Sequence, residues 1–267
     1  MTMGMFFWVK KVVPALIVAA DGSGDYTTIQ AAIDALPAAG GEIHIKPGTY
    51  VVSARVNINK DNVKVVGSGK STQIQSGGNF GTMAILNSYC IIDSIYLYGN
   101  SSYPGIAMVG ATQSKVIRCW VENCNVGIFM DSCSYCSITD CQVYSNGVWG
   151  ITLGTGAPGN ASSRCFVTTN ELYLNTSDGI RCDSDYCVIT GNLCHQNGSG
   201  IRITDYGDNN IVANNVCVNN SGYGILLYEA VHDAIANTII NNTCLNNPSG
   251  NISDGGTDTR IGHNITT

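Results

Sequence analysis

Ile189-Thr-Gly-Asn192-Leu-Cys-His-Gln-Asn197 and Val212-Ala-Asn-Asn215-Val-Cys-Val-Asn-Asn220 are one pattern written twice. Each runs apolar, two residues, Asn, then Asn five positions on. The segments 138–146, 167–175 and 239–247 repeat it with Cys or Asn at the first site, and 116–124 carries Cys at both. The Cys/Asn column falls at 119, 141, 170, 192, 215 and 242, so the steps are 22, 29, 22, 23 and 27. A Gly-Ile pair recurs between the segments, at Gly105, Gly127, Gly150, Gly179, Gly200 and Gly224. Short runs of Val, Ile, Thr, Tyr and Cys with a period near 22, punctuated by Asn and Gly, describe a β-solenoid and not a helical repeat. The expected fold is all-β: a single-stranded right-handed parallel β-helix of roughly ten coils with an N-terminal capping α-helix.

The punctuation has physical reasons. Stacked Asn side chains can hydrogen-bond along the coils and satisfy turn backbone that would otherwise be buried unpaired. Asn192 is expected to point inward and Asn197 to sit at an exposed turn. Gly before each Ile is expected to supply a bend with positive φ. With the Ile inward, alternate residues face out. One outward row is Ala107, Phe129, Thr152, Arg181, Arg202, Leu226, and the next is Val109, Asp131, Gly154, Asp183, Thr204, Tyr228. On a second face the outward row is Glu122, Tyr144, Tyr173, His195, Val218, Leu245.

The 267 residues are expected to form one domain. Residues 1–20 are a first strand or a signal segment, 25–37 the capping helix and 40–267 the coils. In the cap, Ile29, Ala32, Ile33 and Leu36 make one apolar face, Thr27 with Gln30 a capping box, and Pro37 the stop. Charged residues are 12% of the chain and the net charge is −6, with no basic stripe, which argues against a nucleic-acid partner. No stretch reaches transmembrane length, so no membrane partner is expected. The 12 cysteines fall in columns, and the simplest reading is free, buried side chains stacked between coils. Cys133 and Cys136 have zinc-like spacing but no second ligand pair. Residues 248–267 read as a degraded last coil with few apolar residues, which favours a monomer over a trimer.

Asp-Gly-Ser-Gly-Asp-Tyr-Thr-Thr-Ile-Gln-Ala-Ala-Ile-Asp-Ala-Leu from Asp21, followed by Gly-Gly-Glu-Ile-His-Ile-Lys-Pro-Gly-Thr-Tyr from Gly40, resembles the N-terminus of the pectin lyase-like superfamily. The Asn-rich coils are similar to that superfamily's repeats, including those of NosD-type copper-processing proteins and alginate epimerases. The resemblance covers nearly the whole chain and implies the fold more strongly than an activity. The esterase, epimerase and polygalacturonase signatures do not match: Tyr223-Gly-Ile-Leu-Leu-Tyr228 lacks the Asp and His of the epimerase motif. What remains resembles pectate lyases by role. Those enzymes hold Ca²⁺ with carboxylates on an outer strand face and use an Arg to remove a proton α to a carboxylate.

By that resemblance Arg181, Arg202 and Asp183 are the catalytic candidates, with an Arg as base or carboxylate clamp. Asp131, Asp183 and Asp185 are the candidate Ca²⁺ ligands. Phe129, Trp149, Tyr228, Asp178 and His195 are the candidates for contacting a polysaccharide. Two long repeats insert loops after Gly154 and after Tyr228 that would bracket these coils. The structural alternatives stand beside these readings: ion pairs between neighbouring strands, and an ordinary aromatic ladder at Tyr144, Tyr173 and His195. Two functions therefore remain open. One is an extracellular or cell-surface lyase-like enzyme on a uronate polysaccharide. The other is a non-catalytic glycan-binding, surface or phage-tail β-helix.

Overall fold

A computed structural model describes residues 15–155, 162–228 and 234–266. Each coil supplies short strands that pair in parallel with the same strands of the coils before and after. One face is a nine-stranded sheet running from Val56–Ile58 to Gly250–Asp254, and the remaining 18 strands form the other two faces. The core is a stack of inward rows. Ile128, Ile151, Ile180, Ile201 and Ile225 make one, and Cys194, Cys217 and Cys244 another, all without solvent exposure.

The corners are built by residue pairs. The first member is left-handed, as at Thr169 (φ 55°), Asn214 (56°) and Asn241 (57°). The second turns its side chain inward. Asn192 Oδ1 accepts from the amide of Asn170, 3.0 Å away, and its Nδ2 donates to Val167 O at 2.9 Å and to Asn215 Oδ1 at 3.0 Å. The other corner is built alike. Asn197 Oδ1 accepts from the amide of Asn175, and its Nδ2 donates to Leu172 O and to Asn220 Oδ1. Asn192 and Asn197 are only 1% and 2% exposed, which corrects the expectation that Asn197 lies at an open turn.

The Gly-Ile glycines also need correction. None of them has positive φ. Their requirement is space: a Cβ on Gly127 would lie 2.3 Å from Val143 Cγ1, and one on Gly150 would lie 2.6 Å from Gly179 O. Left-handed backbone is carried instead by the residue ahead of each corner Asn or Cys, bulky Leu174 and Arg118 among them.

The cap helix runs Ile29–Ala35, with Ile29, Ala32 and Ile33 buried. Its N-cap is Thr28, whose hydroxyl accepts from Ala31 N–H, one residue later than the predicted Thr27–Gln30 box. Gln30 instead clamps the backbone of Asn57, accepting its N–H at 2.8 Å. Lys60 Nζ donates to the carbonyls of Ile33, Asp34 and Leu36, which a short helix would otherwise leave bare. Leu16–Val18 is a strand paired with Gly41–Ile45. Residues 1–14, on which the signal-segment reading depends, lie outside the described residues.

At the other end, Gly250–Asp254 and Arg260–Gly262 complete a last coil, with Ile261 and Ile265 46% and 56% exposed. All 12 cysteines are free and buried. Burial pushes the Cys124 thiol up to about 12. Among the described residues, no helix is long and apolar enough to cross a membrane.

Candidate functional site

Strand register sets the site. Thr152 pairs with Phe129 and with Arg181, Arg181 with Arg202, and Arg202 with Leu226, so the predicted outward row is a row in the structure. The strands Asp178–Cys182 and Ser199–Ile203 lie between Trp149–Leu153 and Tyr223–Leu227, the two strands from which the inserted loops depart. Residues 156–161 and 229–233 of those loops lie outside the described residues.

Two guanidinium groups therefore sit side by side, about 4.8 Å apart at the backbone. Each is held by a buried carboxylate. Arg181 Nε donates to Asp183 Oδ2 at 2.9 Å, and Thr204 Oγ1 donates to the other Asp183 oxygen. Arg202 Nη2 lies 3.2 Å from Asp178 Oδ1. Asp178 has no exposed side-chain surface, and neither of its oxygens has an aligned hydrogen bond, so this second contact is electrostatic. Burial pushes the Asp178 carboxyl up to about 6, against the opposing pull of Arg202 and Arg181.

Aromatic rings cover the cations. Arg181 lies 4.7 Å from the ring centroid of Trp149, and Arg202 5.8 Å from that of Tyr228. Arg181, Arg202, Thr204, Asp205, Tyr206 and Tyr228 line a pocket of about 150 Å³. That volume suits one acidic group and the edge of a sugar ring, not an enclosed oligosaccharide. A groove of about 470 Å³ beside the cap helix is larger, but Arg55 is the one charged residue in its lining, and Arg55 is bonded to Asn57.

The predicted residues thus divide. Arg181, Arg202, Asp178, Asp183, Trp149 and Tyr228 come together. Phe129 is half-buried in the same row, separated from Arg181 by Thr152. The Ca²⁺ set does not assemble. Asp183 faces outward but is 1% exposed and engaged by Arg181 and Thr204. Asp131, bonded to Ser132, lies two strand spacings away, roughly 10 Å. Asp185 accepts the backbone N–H of Asp208 and ties one corner to the next. Among the described residues, no three His, Cys, Asp or Glu side chains are placed to hold a metal.

His195 is on a different face from the pocket. Tyr144 and Tyr173 stack at 4.8 Å and 4°, and Tyr173 and His195 at 5.1 Å and 6°. The rings cover one another's faces, so this ladder is a spine of the solenoid and not a platform for sugars. Thr204, Asp205 and Tyr206 were not singled out by sequence. Thr204 already lay in an outward row, and its place beside Asp183 in that row was the available signal.

The chain matches the family described as "Periplasmic copper-binding protein (NosD)" over residues 93–266 and the pectinesterase family over residues 15–91. It is 43% identical over 72 residues to a putative pectinesterase/pectinesterase inhibitor 45 of Arabidopsis thaliana; that match covers 26% of this chain and 12% of the plant protein. The A-module of the Azotobacter vinelandii mannuronan C-5 epimerase AlgE4 superposes with TM-score 0.76 at 22% identity, over 88% of this chain and 71% of the module. The Dettilon tailspike protein superposes with TM-score 0.78 at 18% identity, over 93% of this chain and 54% of the tailspike. These two likenesses show the fold.

The described residues do not fit a copper centre. The soft donors are core groups: Cys133 Sγ donates to Met108 O, Cys136 Sγ to Ala111 O, and Met83, Met108 and Met130 are fully buried. His44 and His195 are each paired with a glutamate, His263 in the last coil belongs to no group of three possible ligands among the described residues, and His232 lies outside the described residues. The repeat itself is what the family match covers, well over half the chain, and on that match the chain belongs to the NosD family of right-handed parallel β-helix proteins, within the pectin lyase-like superfamily.

Proposed function

We propose that this protein is a carbohydrate-active β-helix that acts on an acidic, uronate-containing polysaccharide outside the cytoplasm, in the periplasm or beyond. One observation carries the reading: the neighbouring cations Arg181 and Arg202, each anchored from below by a buried carboxylate, on an open face beside Trp149 and Tyr228. Paired guanidinium forks suit a sugar carboxylate, and the open row along the strands suits a chain of sugars. The pectinesterase likeness of the N-terminal segment and the mannuronan-epimerase fold support the same substrate class.

Lyase chemistry is the finer proposal. In β-elimination the proton α to the carboxylate leaves to a base, its electron pair forms the ring double bond, and the glycosidic oxygen departs. Arg181 and Arg202 serve better as the clamp on the carboxylate than as the base, because a guanidinium paired with a carboxylate stays protonated. Asp183 positions Arg181. The non-catalytic reading draws on the same geometry, since both Asp183 oxygens are engaged, one by Arg181 and one by Thr204.

Incubation with polygalacturonate and with mannuronan, read by ultraviolet absorbance of the unsaturated product, separates the two. Product formation that falls at least tenfold in Arg181→Lys, which loses the two-pronged fork, supports the enzyme. Binding without product leaves a glycan-binding protein. Neither product nor binding on any uronate polymer removes the proposal.

A further inference from the structure

The two Arg–Asp pairs of the site are not equivalent. Arg181 and Asp183 are closed: the guanidinium Nε is bonded, and Thr204 takes up the second carboxylate oxygen. Arg202 and Asp178 are open. Both Asp178 oxygens and Arg202 Nε are buried without a hydrogen bond. Seven side-chain atoms among the described residues share that condition, and three of them fall on this one pair beside the pocket. Buried donors and acceptors left unmet are rare, because each costs about 1–3 kcal/mol. They mark a place where a partner arrives.

We propose that a sugar carboxylate binding here takes Arg202 over from Asp178, and that Asp178 takes up a proton as it is released, so that ligand binding and proton uptake are one step. This rests on the uronate reading above and specifies how that site works. The Nε–Nη edge of a guanidinium matches the two oxygens of a carboxylate, and Arg202 Nε has no partner to give up. Once Arg202 turns to the ligand, Asp178 keeps its burial and loses its counter-ion. An ionised carboxylate in that state is far costlier than a neutral one.

The charges balance. Before binding there are Arg202⁺, Asp178⁻ and the ligand carboxylate. Afterwards Arg202⁺ is paired with the ligand, and Asp178 is neutral, holding one proton from solvent.

Four groups act on Asp178: Arg202 from the following strand, Arg181 from its own, the Trp149 indole N–H from the preceding one (a nearby donor that makes no aligned bond), and Asp183, which alone opposes ionisation. With Arg202 in place the Asp178 carboxyl already titrates at about 6. Displacing Arg202 removes the largest stabiliser of the charge, so the bound-state pKa lies higher still. The sign follows. Below about pH 6 Asp178 is protonated before the ligand arrives, and affinity is flat. Above that value each complex must draw a proton from solvent, and affinity weakens by up to about tenfold per pH unit until the bound-state pKa is passed. The ligand carboxylate, with an ordinary pKa near 3.5–4, stays ionised throughout.

The test is calorimetric titration of the full chain with trigalacturonate across this range, in pairs of buffers that differ in ionisation enthalpy. Expected for the wild type is uptake approaching one proton per site just above the Asp178 pKa, falling towards zero well below it, with affinity tighter at the acid end. Asp178→Asn, which cannot compete for Arg202 as an anion, should bind with no proton uptake and no pH dependence, and at neutral pH more tightly than the wild type. Wild-type binding without proton uptake at any pH overturns the proposal, whatever the variant does, and leaves the uronate site standing. A variant that keeps the wild-type pH profile also overturns it. No binding of trigalacturonate at any pH overturns this proposal together with the uronate site.

Discussion

Asn192→Leu and Asn197→Leu will each lower the unfolding free energy by at least about 2 kcal/mol, and by nearly equal amounts. Each amide is the middle of a chain. Removing Asn192 strands the Asn170 amide N–H and takes one bond each from the Asn170 side chain, which keeps Ile138 O, from the Val167 carbonyl, and from Asn215 Oδ1, which keeps the backbone N–H of residue 192. Removing Asn197 likewise strands the Asn175 N–H and takes one bond each from the Asn175 side chain, which keeps Val143 O, from the Leu172 carbonyl, and from Asn220 Oδ1, which keeps the backbone N–H of residue 197. One stranded buried amide at about 1–3 kcal/mol, with three neighbouring buried groups weakened, exceeds what an inserted Leu can recover, since the core there is already filled and water does not reach it. Chemical denaturation followed by circular dichroism gives both values. A change below about 1 kcal/mol at Asn197 would mean that this corner is open to water and that the two ladders are not equivalent.

Arg202→Ala will be strongly destabilising at pH 8 and only mildly so at pH 5. At the higher pH Asp178, fully buried and without its nearest cation, stays folded only by holding a proton, a loss of about 2–3 kcal/mol relative to the wild type. The sign is that of a carboxyl whose folded pKa is raised. Its unfolded value is near 3.8, its folded value is about 6 with Arg202 present, and it is higher without Arg202. Stability is therefore fully present below the unfolded pKa and is lost as pH rises through the folded one. The Arg202→Ala/Asp178→Asn double variant should recover most of the loss at pH 8, leaving only the packing of the arginine stem over its neighbours. A penalty independent of pH, or a double variant as unstable as the single one, would show that Arg202 acts by packing and not by charge. The sequence reading expected both arginines to be outward. They are outward, but each covers a carboxylate, and a surface row read by alternation alone carries no information about what lies beneath a long side chain.

The parts of the fold that were legible are those governed by periodicity. A 22-residue repeat of alternating residues sets the stacking, and with it which residues share a row, because a slip of one residue would turn every Ile of the core outward. The rows through Arg181 and through Tyr173 followed from that alone. What was misread depends on three-dimensional closeness. Gly127 and Gly150 serve close approach between coils and not a left-handed bend, and pattern alone does not distinguish those two uses of glycine. Asp178 was named as a polysaccharide contact, but it is fully buried, and that burial comes from the coils on either side. Asp131, Asp183 and Asp185 looked like a cation site because they are near in rows, yet two strand spacings and a corner are enough to separate them. His195 was assigned to sugar binding for its ring, and the 5.1 Å stack on Tyr173 occupies that ring.

The central claim is that the Arg181–Arg202 row of the nine-stranded face is where an acidic sugar binds. A crystal structure of the protein soaked with trigalacturonate tests it most directly. The account predicts a uronate carboxylate within hydrogen-bonding distance of Arg202, its ring against Tyr228 and the chain running across the strands past Trp149. Sugar density along the Tyr144–Tyr173–His195 ladder or in the groove beside the cap helix, with the arginine pocket empty, would contradict it.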